Sequence, residues 1–425
     1  MTSAHAAPPV YEGCTPPPAS FRHVLHATPA TLAAVLRTAG DGDAVYLSSG
    51  QYGRVDLKGD NREFVLVAAE PGQKPELSSL TVTGSHWWMR GLTVTGLAPK
   101  HMWGKWPAHD ALVRLGPADN VIFEANEVNS TPGAFPWKKS TEGQLDDAPV
   151  SSGVLANETS CTSIVGNTVS NVFNAIQVEG DQSGNVGKYF IVSNNTITDF
   201  AGDGIDHSVS FASIDHNHIT NGHNICDYKC IHMDGIQGWT YYNRPGIVNE
   251  NVVIDSNVII DRTRLDLTLP TTDMQGITIW DGFWKNVSAT NNVVVTNTWN
   301  GITLEGVDGM KIANNTVLPS GDRQTWIQGG GTTHQGGQSR NVVIRNNIAV
   351  RVQTTNETSP VHIDHNLVVM SPSRVVVAFD PKRAVYDLHP RPGGGADGHG
   401  SREDAPATDA DGKSRTERIS IGAYN

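Results

Sequence analysis

The sequence predicts an all-β fold in which short strands coil into one long solenoid. The 425 residues include 43 Gly and 23 Pro but only 17% charged residues, a composition rich in turn formers and unlike that of coiled coils or long helical bundles. An Asn followed by β-branched residues also recurs, at intervals of 22 to 41 residues. Such a period is typical of solenoids whose coils carry insertions. The recurring residues are Asn126, Asn167, Asn195, Asn217, Asn257, Asn292, Asn315 and Asn347.

The N-terminal part supplies a cap for this solenoid. Thr28 is a good N-cap residue, Pro29 suits the first helical position, and Gly40 follows as a stop. We therefore predict a short helix that covers the open end of the core, and a first coil in the segment GDAVYLSSGQY. Residues 1–27 are predicted to be a tail, in which Ala-His-Ala resembles the end of a trimmed export signal.

A second register lies inside the coils and aligns five segments without gaps: NAIQVEG, DGIDHSV, DGIQGWT, QGITIWD and NGITLEG. Strand alternation places one column of isoleucines inside, and the residues one and three places later outside. The isoleucines are Ile176, Ile205, Ile236, Ile277 and Ile302. The outer positions include Gln177 and Glu179, Asp206, Gln237 and Trp239, Thr278 and Trp280, and Glu305. His207 is predicted to point inward.

The rest of the chain contains no clear second domain. The predicted β-helix with its cap spans 28–370, and the Pro- and Gly-rich segment 371–425 is predicted to pack on it as irregular structure. No apolar run is long enough to span a membrane. The net charge of −12 disfavours nucleic acid as a partner and requires local cations or a metal for an acidic polymer.

The four cysteines leave their state open. Cys226 and Cys230 are close enough in sequence for a small disulfide, and two free thiols are an equal alternative. Zinc is less favoured because no second cysteine pair exists to complete four ligands.

The N-terminal helix with GDAVYLSSGQY, the NNTI-type repeats and the ending DADGK…IGAYN resemble secreted bacterial right-handed parallel β-helix proteins. This group includes polysaccharide lyases, mannuronan epimerases, polygalacturonase-like hydrolases and phage tailspikes. The resemblance implies a right-handed parallel β-helix, a polysaccharide or oligosaccharide substrate, and a secreted or periplasmic location; we expect a monomer. The catalytic elements of the polygalacturonases and the Asp-Pro-His-Asp signature of the epimerases are not found in the repeats.

The candidate site lies where the two central members of one corner column are carboxylates. Neighbouring rungs would hold Asp203 and Asp234 about 4.8 Å apart, beside Asp206. Carboxylates at this spacing share a proton or bind a cation, and Ca²⁺ is the ion that prefers several oxygen ligands. Alternatively, these residues form a ladder that only satisfies backbone groups.

Three functions remain open. In a lyase acting on a uronic-acid polymer, His232 or Lys229 would be the base and Tyr241 the acid, with Arg244 binding the uronate. In a glycoside hydrolase, two of Asp206, Asp234, Glu179 and Glu305 would act as the carboxylate pair. In either enzyme Gln237, Trp239 and Trp280 would contact the sugar, since aromatic rings suit the apolar faces of sugars. A non-catalytic glycan-binding or tailspike-like solenoid is the third possibility. The lyase is preferred narrowly, by analogy with the architecture.

Overall fold

The structure, a computed structural model, describes residues 10–96, 111–130, 151–180, 187–223, 232–240, 246–265, 273–333, 336–355, 360–415 and 418–425. Nearly all of the regular structure in these ranges is β-strand. The chain divides into an N-terminal unit, Met1–Pro136 with Asp146–Thr196, and a C-terminal unit, Trp137–Leu145 with Ile197–Asn425. None of the helices in these ranges has the length and apolarity that a membrane crossing requires.

The N-terminal unit begins with a strand and the short helix α1, Leu32–Leu36. The helix starts later than predicted, because the Thr28 carbonyl accepts the N–H groups of Thr31 and Leu32 in a preceding turn. Strand β1 lies inside the predicted tail and pairs in parallel with β2. The strands of this unit are β1 (His23–Ala27), β2 (Asp43–Leu47), β3 (Gly50–Ala69), β4 (Pro75–Arg90), β5 (Thr93–Thr95), β6 (Ala111–Glu124), β7 (Glu127–Asn129), β8 (Ser152–Asn157), β9 (Thr159–Val165), β10 (Thr168–Val172), β11 (Ile176–Glu179) and β12 (Lys188–Ser193).

A disulfide joins Cys14 to Cys161 in the N-terminal unit, across 147 residues of sequence. The sequence did not indicate this pairing, since the two cysteines are far apart along the chain. Cys226 and Cys230 lie outside the described residues.

The C-terminal unit is built from three series of parallel strands, one for each side of the coil. Each strand pairs with the strand one coil later: β14 with β17, β15 with β18, and β16 with β19. The strands are β13 (Thr196–Phe200, whose first residue belongs to the N-terminal unit), β14 (Ile205–Ser208), β15 (Ser210–Asp215), β16 (His218–Gly222), β17 (Met233–Gly238), β18 (Asn249–Asp255), β19 (Val258–Ile260), β20 (Met274–Ile279), β21 (Trp284–Thr290), β22 (Val293–Thr296), β23 (Asn300–Leu304), β24 (Val307–Ala313), β25 (Thr316–Pro319), β26 (Trp326–Gly329), β27 (Arg340–Arg345), β28 (Ile348–Ala349), β29 (Val352–Gln353), β30 (Val361–Asp364) and β31 (Leu367–Val368). This is the predicted parallel β-helix.

The strand register places the isoleucine column as predicted. Ile205 pairs with Ile236, which pairs with Ile277 and then Ile302, and all four are fully buried. Strand alternation therefore turns the intervening polar positions to the outer face of β14, β17, β20 and β23.

The recurring asparagines form a ladder on the inside of the coil. In the C-terminal unit the backbone N–H and side-chain amide of Asn257 both donate to Oδ1 of Asn292, and those of Asn292 donate to Asn315. Asn366, which was not in the predicted set, ends the ladder. In the N-terminal unit Asn126 bonds to Asn167 in the same way. The repeat is thus the sequence signature of buried amides that satisfy the turns.

The segment after β31 contains two one-turn 3₁₀ helices, Pro372–Arg374 and Pro381–Arg383, and an antiparallel pair, β32 (Val376–Asp380) with β33 (Val385–Pro390). Its apolar side chains join those of the last coils in one buried cluster, in which Ile421 and Ala423 accompany Leu318 and Ile348. Buried Arg415 fastens it further by donating to Oδ1 of Asn291 and to the carbonyl of Gly422.

Candidate active site

The corner column of the C-terminal unit brings Asp203 and Asp234 together on neighbouring rungs. The N–H of Asp234 donates to Asp203 Oδ1 at 2.9 Å, and the N–H of Gly204 donates back to the Asp234 carbonyl at 2.9 Å. Asp203 therefore acts as a ladder residue for the backbone, one of the two readings that the sequence left open. Its carboxyl also lies beside a second acid, so the ladder role does not exclude a chemical one.

Asp234 is fully buried and holds His232 in place. Its Oδ2 lies 2.8 Å from His232 Nδ1, while Thr278 Oγ1 donates to its Oδ1 at 2.8 Å. Thr278 belongs to β20, the strand that pairs with β17, and its register partner there is Gln237. With Nδ1 engaged, Nε2 of the half-exposed His232 is the nitrogen available to a substrate.

The surroundings of His232 favour its charged form. The hydrogen bond that His232 Nδ1–H donates to Asp234 is the main cause that raises the pKa of His232 to about 9; the charges of Asp234, Asp203 and Asp281 add to it, and burial opposes it. At neutral pH the imidazole therefore carries two protons. Such a group suits the role of a proton donor better than the base that the sequence predicted.

Asp203 holds its proton to a higher pH than an ordinary aspartate does. Burial raises its pKa well above the usual value, and the nearby charges of Asp234 and Asp206 raise it further. The site thus places a carboxyl group with a raised pKa and a protonated imidazole next to Asp234.

Two predicted aromatic side chains border these groups. Trp239 Nε1 donates to Asp206 Oδ1 at 2.7 Å, and the Trp280 ring meets the His232 ring edge-on, with centroids 5.5 Å apart. Both tryptophans are partly exposed, and Gln237 lies between Asp206 and Thr278 in the register. A sugar ring could therefore contact aromatic surface beside His232.

His207 points inward, as predicted from strand alternation. It is fully buried, its ring packs edge-on against Trp284, and neither ring nitrogen has a hydrogen-bond partner among the described residues. Burial lowers the pKa of His207 to about 3. It is therefore a neutral core residue and not part of the site.

Other predicted residues lie elsewhere. Glu305 accepts a hydrogen bond from Gln328 Nε2 at 2.7 Å, farther along the same face. Glu179 belongs to the N-terminal unit, where its Oε1 lies 3.5 Å from Gln177 Nε2. Lys229, Tyr241 and Arg244 are outside the described residues.

The described residues do not fit the predicted calcium site. No group of three or more His, Cys, Asp or Glu side chains among them has the geometry to hold a metal ion. The hydrogen bonds to Asp203 Oδ1, Asp206 Oδ1 and both oxygens of Asp234 already occupy most of the carboxylate oxygens. Calcium at Asp203, Asp206 and Asp234 stays a prediction, and no chemical step is derived from it.

Sequence reasoning missed two contributors to this site. Thr278 was placed on the outer face, but its bond to Asp234 joins two residues that are 44 positions apart in the sequence and lie on adjacent strands. Asp281, just beyond β20, helps to keep His232 protonated. In the sequence, only its position next to Trp280 would have indicated a role for Asp281.

Comparisons with known proteins agree with this architecture. Residues 152–317 match the family model of the right-handed β-helix region, so the coil is a right-handed parallel β-helix. No curated protein sequence matches the chain.

Similar solved structures include a pectate lyase, with 12% identity and a TM-score of 0.49, covering 96% of this chain and 97% of that one. The A-module of a mannuronan C-5 epimerase from Azotobacter vinelandii has 14% identity and a TM-score of 0.48, covering 80% and 90%. An alginate lyase from Paenibacillus sp. str. FPU-7 has 13% identity and a TM-score of 0.41, covering 79% and 99%. At these identities the likeness concerns the fold alone.

Proposed function

We propose that this protein is a carbohydrate-active enzyme that cleaves a uronic-acid-containing polysaccharide by β-elimination on the outer face of the C-terminal unit. The observation that carries the proposal is the His232–Asp234–Thr278 arrangement. It fixes a half-exposed imidazolium, next to an aromatic ring, in surroundings that are otherwise acidic.

Elimination requires a proton donor for the leaving glycosidic oxygen and a base for the proton next to the carboxyl group. Nε2–H of His232 would donate the first proton, while Asp234 keeps the ring oriented and charged. Lys229 remains the proposed candidate for the base, and Arg244 for binding the uronate. Tyr241, which the sequence predicted as the acid, would be a second proton donor beside His232. Trp239, Trp280 and Gln237 would contact the sugar.

The test measures two products on a panel of acidic and neutral polysaccharides: unsaturated ends by ultraviolet absorbance and new reducing ends. The proposal expects both signals together, on uronic-acid polymers only. His232→Gln and Asp234→Asn should each lower the rate at least about 100-fold.

His216→Gln is the matched control for these variants. His216 also pairs with an aspartate, Asp215, at 3.0 Å and has a raised pKa, but it lies on another side of the coil. Its loss should leave the rate unchanged. Reducing ends without absorbance would refute elimination.

A glycoside hydrolase is the second candidate, favoured by the raised pKa of Asp203 beside Asp206 and Asp234. Carboxyl groups whose environments push their pKa values apart are typical of an acid and base pair. In that case Asp203→Asn would abolish the formation of reducing ends on a polymer that gives no absorbance. Glycan binding with neither signal would favour the non-catalytic solenoid.

Calcium dependence is tested in the same assay with a chelator. The described carboxylates are engaged by hydrogen bonds, so a rate that persists in the chelator would count against the predicted metal site. Loss of activity that added Ca²⁺ restores would instead support the predicted metal site at Asp203, Asp206 and Asp234.

We also propose that the protein is exported to a secreted or periplasmic location. The Cys14–Cys161 disulfide supports this, since such bonds persist in oxidising compartments. Alkylation of the protein isolated from its native cells, with and without prior reduction, would show whether both thiols are protected.

A further inference from the structure

A pair of tryptophans lies at the turn between the corner column and the next coils. Trp299, just before β23, is 56% exposed, and Trp326 begins β26. Their rings are nearly parallel, at 11°, with centroids 6.1 Å apart. Partly exposed, stacked indole rings offer a flat apolar face of the kind that packs against the apolar face of a sugar.

The backbone holds this pair in a fixed position. The N–H groups of Trp326 and Gly301 both donate to the Trp299 carbonyl, at 2.8 and 3.1 Å. Gly301 occupies a register irregularity between Asn300 and Ile302, where a Cβ atom would lie 2.2 Å from Val317. Only glycine fits there, so the turn that carries Trp299 is tightly constrained.

Each tryptophan has an arginine against its ring. The guanidinium carbon of Arg323 lies 5.8 Å from the Trp299 centroid, and that of Arg351 lies 5.7 Å from the Trp326 centroid. Both arginines are exposed. Arg323 is 3.9 Å from Asp273, and Arg351 forms no ion pair within the described part of the chain. Two cations on adjacent aromatic rings stand out in a protein of net charge −12.

The register connects these residues to the candidate active site within the same unit. Asp234 is in register with Gln275, Gln275 accepts a hydrogen bond from Asn300, and Asn300 pairs with Trp326. The tryptophan pair therefore lies two to three strand spacings from Asp234, roughly 10–14 Å along the stack. A polymer chain that occupies the site and runs along the coils would reach it.

We propose that Trp299, Trp326, Arg323 and Arg351 form a binding subsite for a uronate residue of the substrate chain. The apolar face of the pyranose ring would stack on tryptophan, and its carboxylate would pair with a guanidinium. The subsite supplies the positive charge that the acidic corner lacks. The proposal rests on the proposed function only for the class of sugar, because binding does not require cleavage.

The test measures binding in the Asp234→Asn background, where any turnover should be at least about 100-fold slower. The ligands are oligogalacturonate, oligomannuronate and a neutral cello-oligosaccharide of equal length. Tryptophan fluorescence and calorimetry report the Kd. We expect Trp299→Ala, Arg323→Gln and Arg351→Gln each to weaken uronate binding about ten-fold. The arginine variants should leave the weak binding of the neutral sugar unchanged.

Arg340→Gln is the control, because Arg340 is exposed in the same unit but contacts no tryptophan among the described residues. It should not change the Kd. Equal affinity of all variants for the uronates, or no uronate binding at all, would overturn the subsite. If uronate binding depends on the arginines but the wild type shows no turnover, the subsite is upheld and the proposed enzyme activity is refuted. If the wild type turns over but its KM does not change in the arginine variants, the enzyme activity is upheld and the subsite is refuted.

Discussion

At the scale of single residues, the candidate site depends on how deeply one carboxylate is buried. His216 and His232 both pair with an aspartate through Nδ1, at 3.0 and 2.8 Å. The partner of His216 is partly exposed, whereas Asp234 is fully buried and lies beside Asp203 and a threonine donor. Both hydrogen bonds raise the pKa of the histidine; at His232 the hydrogen bond to Asp234 and the charges of Asp234, Asp203 and Asp281 raise it to about 9.

The first prediction concerns the pH dependence of the reaction. If His232 donates a proton, kcat/KM should fall as the pH rises through about 9, the pKa to which Asp234 raises it. The pH profile of the wild type and of His232→Gln checks this, since the variant should lack that limb. A profile that rises through the same pH would make His232 the base.

A companion measurement does not depend on turnover. Asp234→Asn removes the main cause of the shift, so the pKa of His232 measured by NMR should drop from about 9 toward its usual value of about 6.5. His216→Gln should leave that titration unchanged. A His232 pKa that stays near 9 in Asp234→Asn would contradict the arrangement described for the site.

The second prediction concerns acid stability and His207. Its pKa is about 3 in the folded protein and about 6.5 when unfolded, so the unfolded state binds the extra proton between these values. The stabilisation of the folded protein by neutral His207 is complete above pH 6.5. It is lost as the pH falls below that value, at roughly 1.4 kcal/mol per pH unit. His207→Leu should therefore flatten the decline of the urea midpoint between pH 6.5 and 4.5.

His216→Gln is the comparison variant. The raised pKa of His216 stabilises the folded protein on the acid side, so its loss should change the pH dependence of stability in the opposite direction to His207→Leu. If the acid sensitivity of His207→Leu equals that of the wild type, the histidine is not neutral in the folded protein.

At the scale of elements, the asparagine ladder explains the repeat in chemical terms. The residue before each ladder asparagine has a positive φ, as at Asn194, Asn291, Asn314 and Asn346. Asn tolerates this left-handed conformation better than most residues, and the next Asn supplies the buried amide. The dipeptide Asn-Asn therefore combines a turn residue with a ladder residue. This is why the asparagine repeat could be recognised in the sequence.

The third prediction tests the ladder. Asn315 is fully buried; it donates through its N–H and amide to Asn347 and accepts from Asn292. Asn315→Ala leaves several buried groups unsatisfied and should lower the free energy of unfolding by about 3–5 kcal/mol. Chemical denaturation measures this.

Two matched variants give the expected gradient. Asn366 ends the ladder and is half-buried, so Asn366→Ala should cost only about 1–2 kcal/mol. The side chain of exposed Asn341 bonds only to Asp308 among the described residues, and its φ is positive. Asn341→Gly, which keeps that conformation accessible, should therefore cost less than about 1 kcal/mol. Equal losses at the three positions would refute the role of burial.

At the scale of the whole molecule, covalent and packing links bind distant parts of the sequence within each unit. Cys14–Cys161 closes a loop of 147 residues in the N-terminal unit. In the C-terminal unit Arg415 and the cluster around Ile421 attach the irregular segment to the coils. Both links stabilise coils that would otherwise contact only their neighbours.

The fourth prediction concerns the disulfide. Cys14→Ser should lower the free energy of unfolding by about 2–4 kcal/mol, chiefly because the unfolded chain regains freedom. Urea denaturation with and without reductant measures the effect. An unchanged midpoint would show that the bond contributes nothing; a further loss when reductant is added to the variant would indicate a bridge between Cys226 and Cys230.

The sequence by itself determined the coil, its buried isoleucine column and its asparagine ladder, because each depends on alternation and on a repeat that a single chain displays. It also placed Asp203, Asp234 and His232 together. Only the tertiary structure decided which groups have shifted pKa values, since those of His232 and Asp203 depend on burial and on neighbours from other coils. The tertiary structure was also needed to find three contacts: Thr278 with Asp234, Trp299 with Trp326, and Cys14 with Cys161. In each, insertions of unequal length separate the two residues in the sequence, so they meet only when the register is fixed.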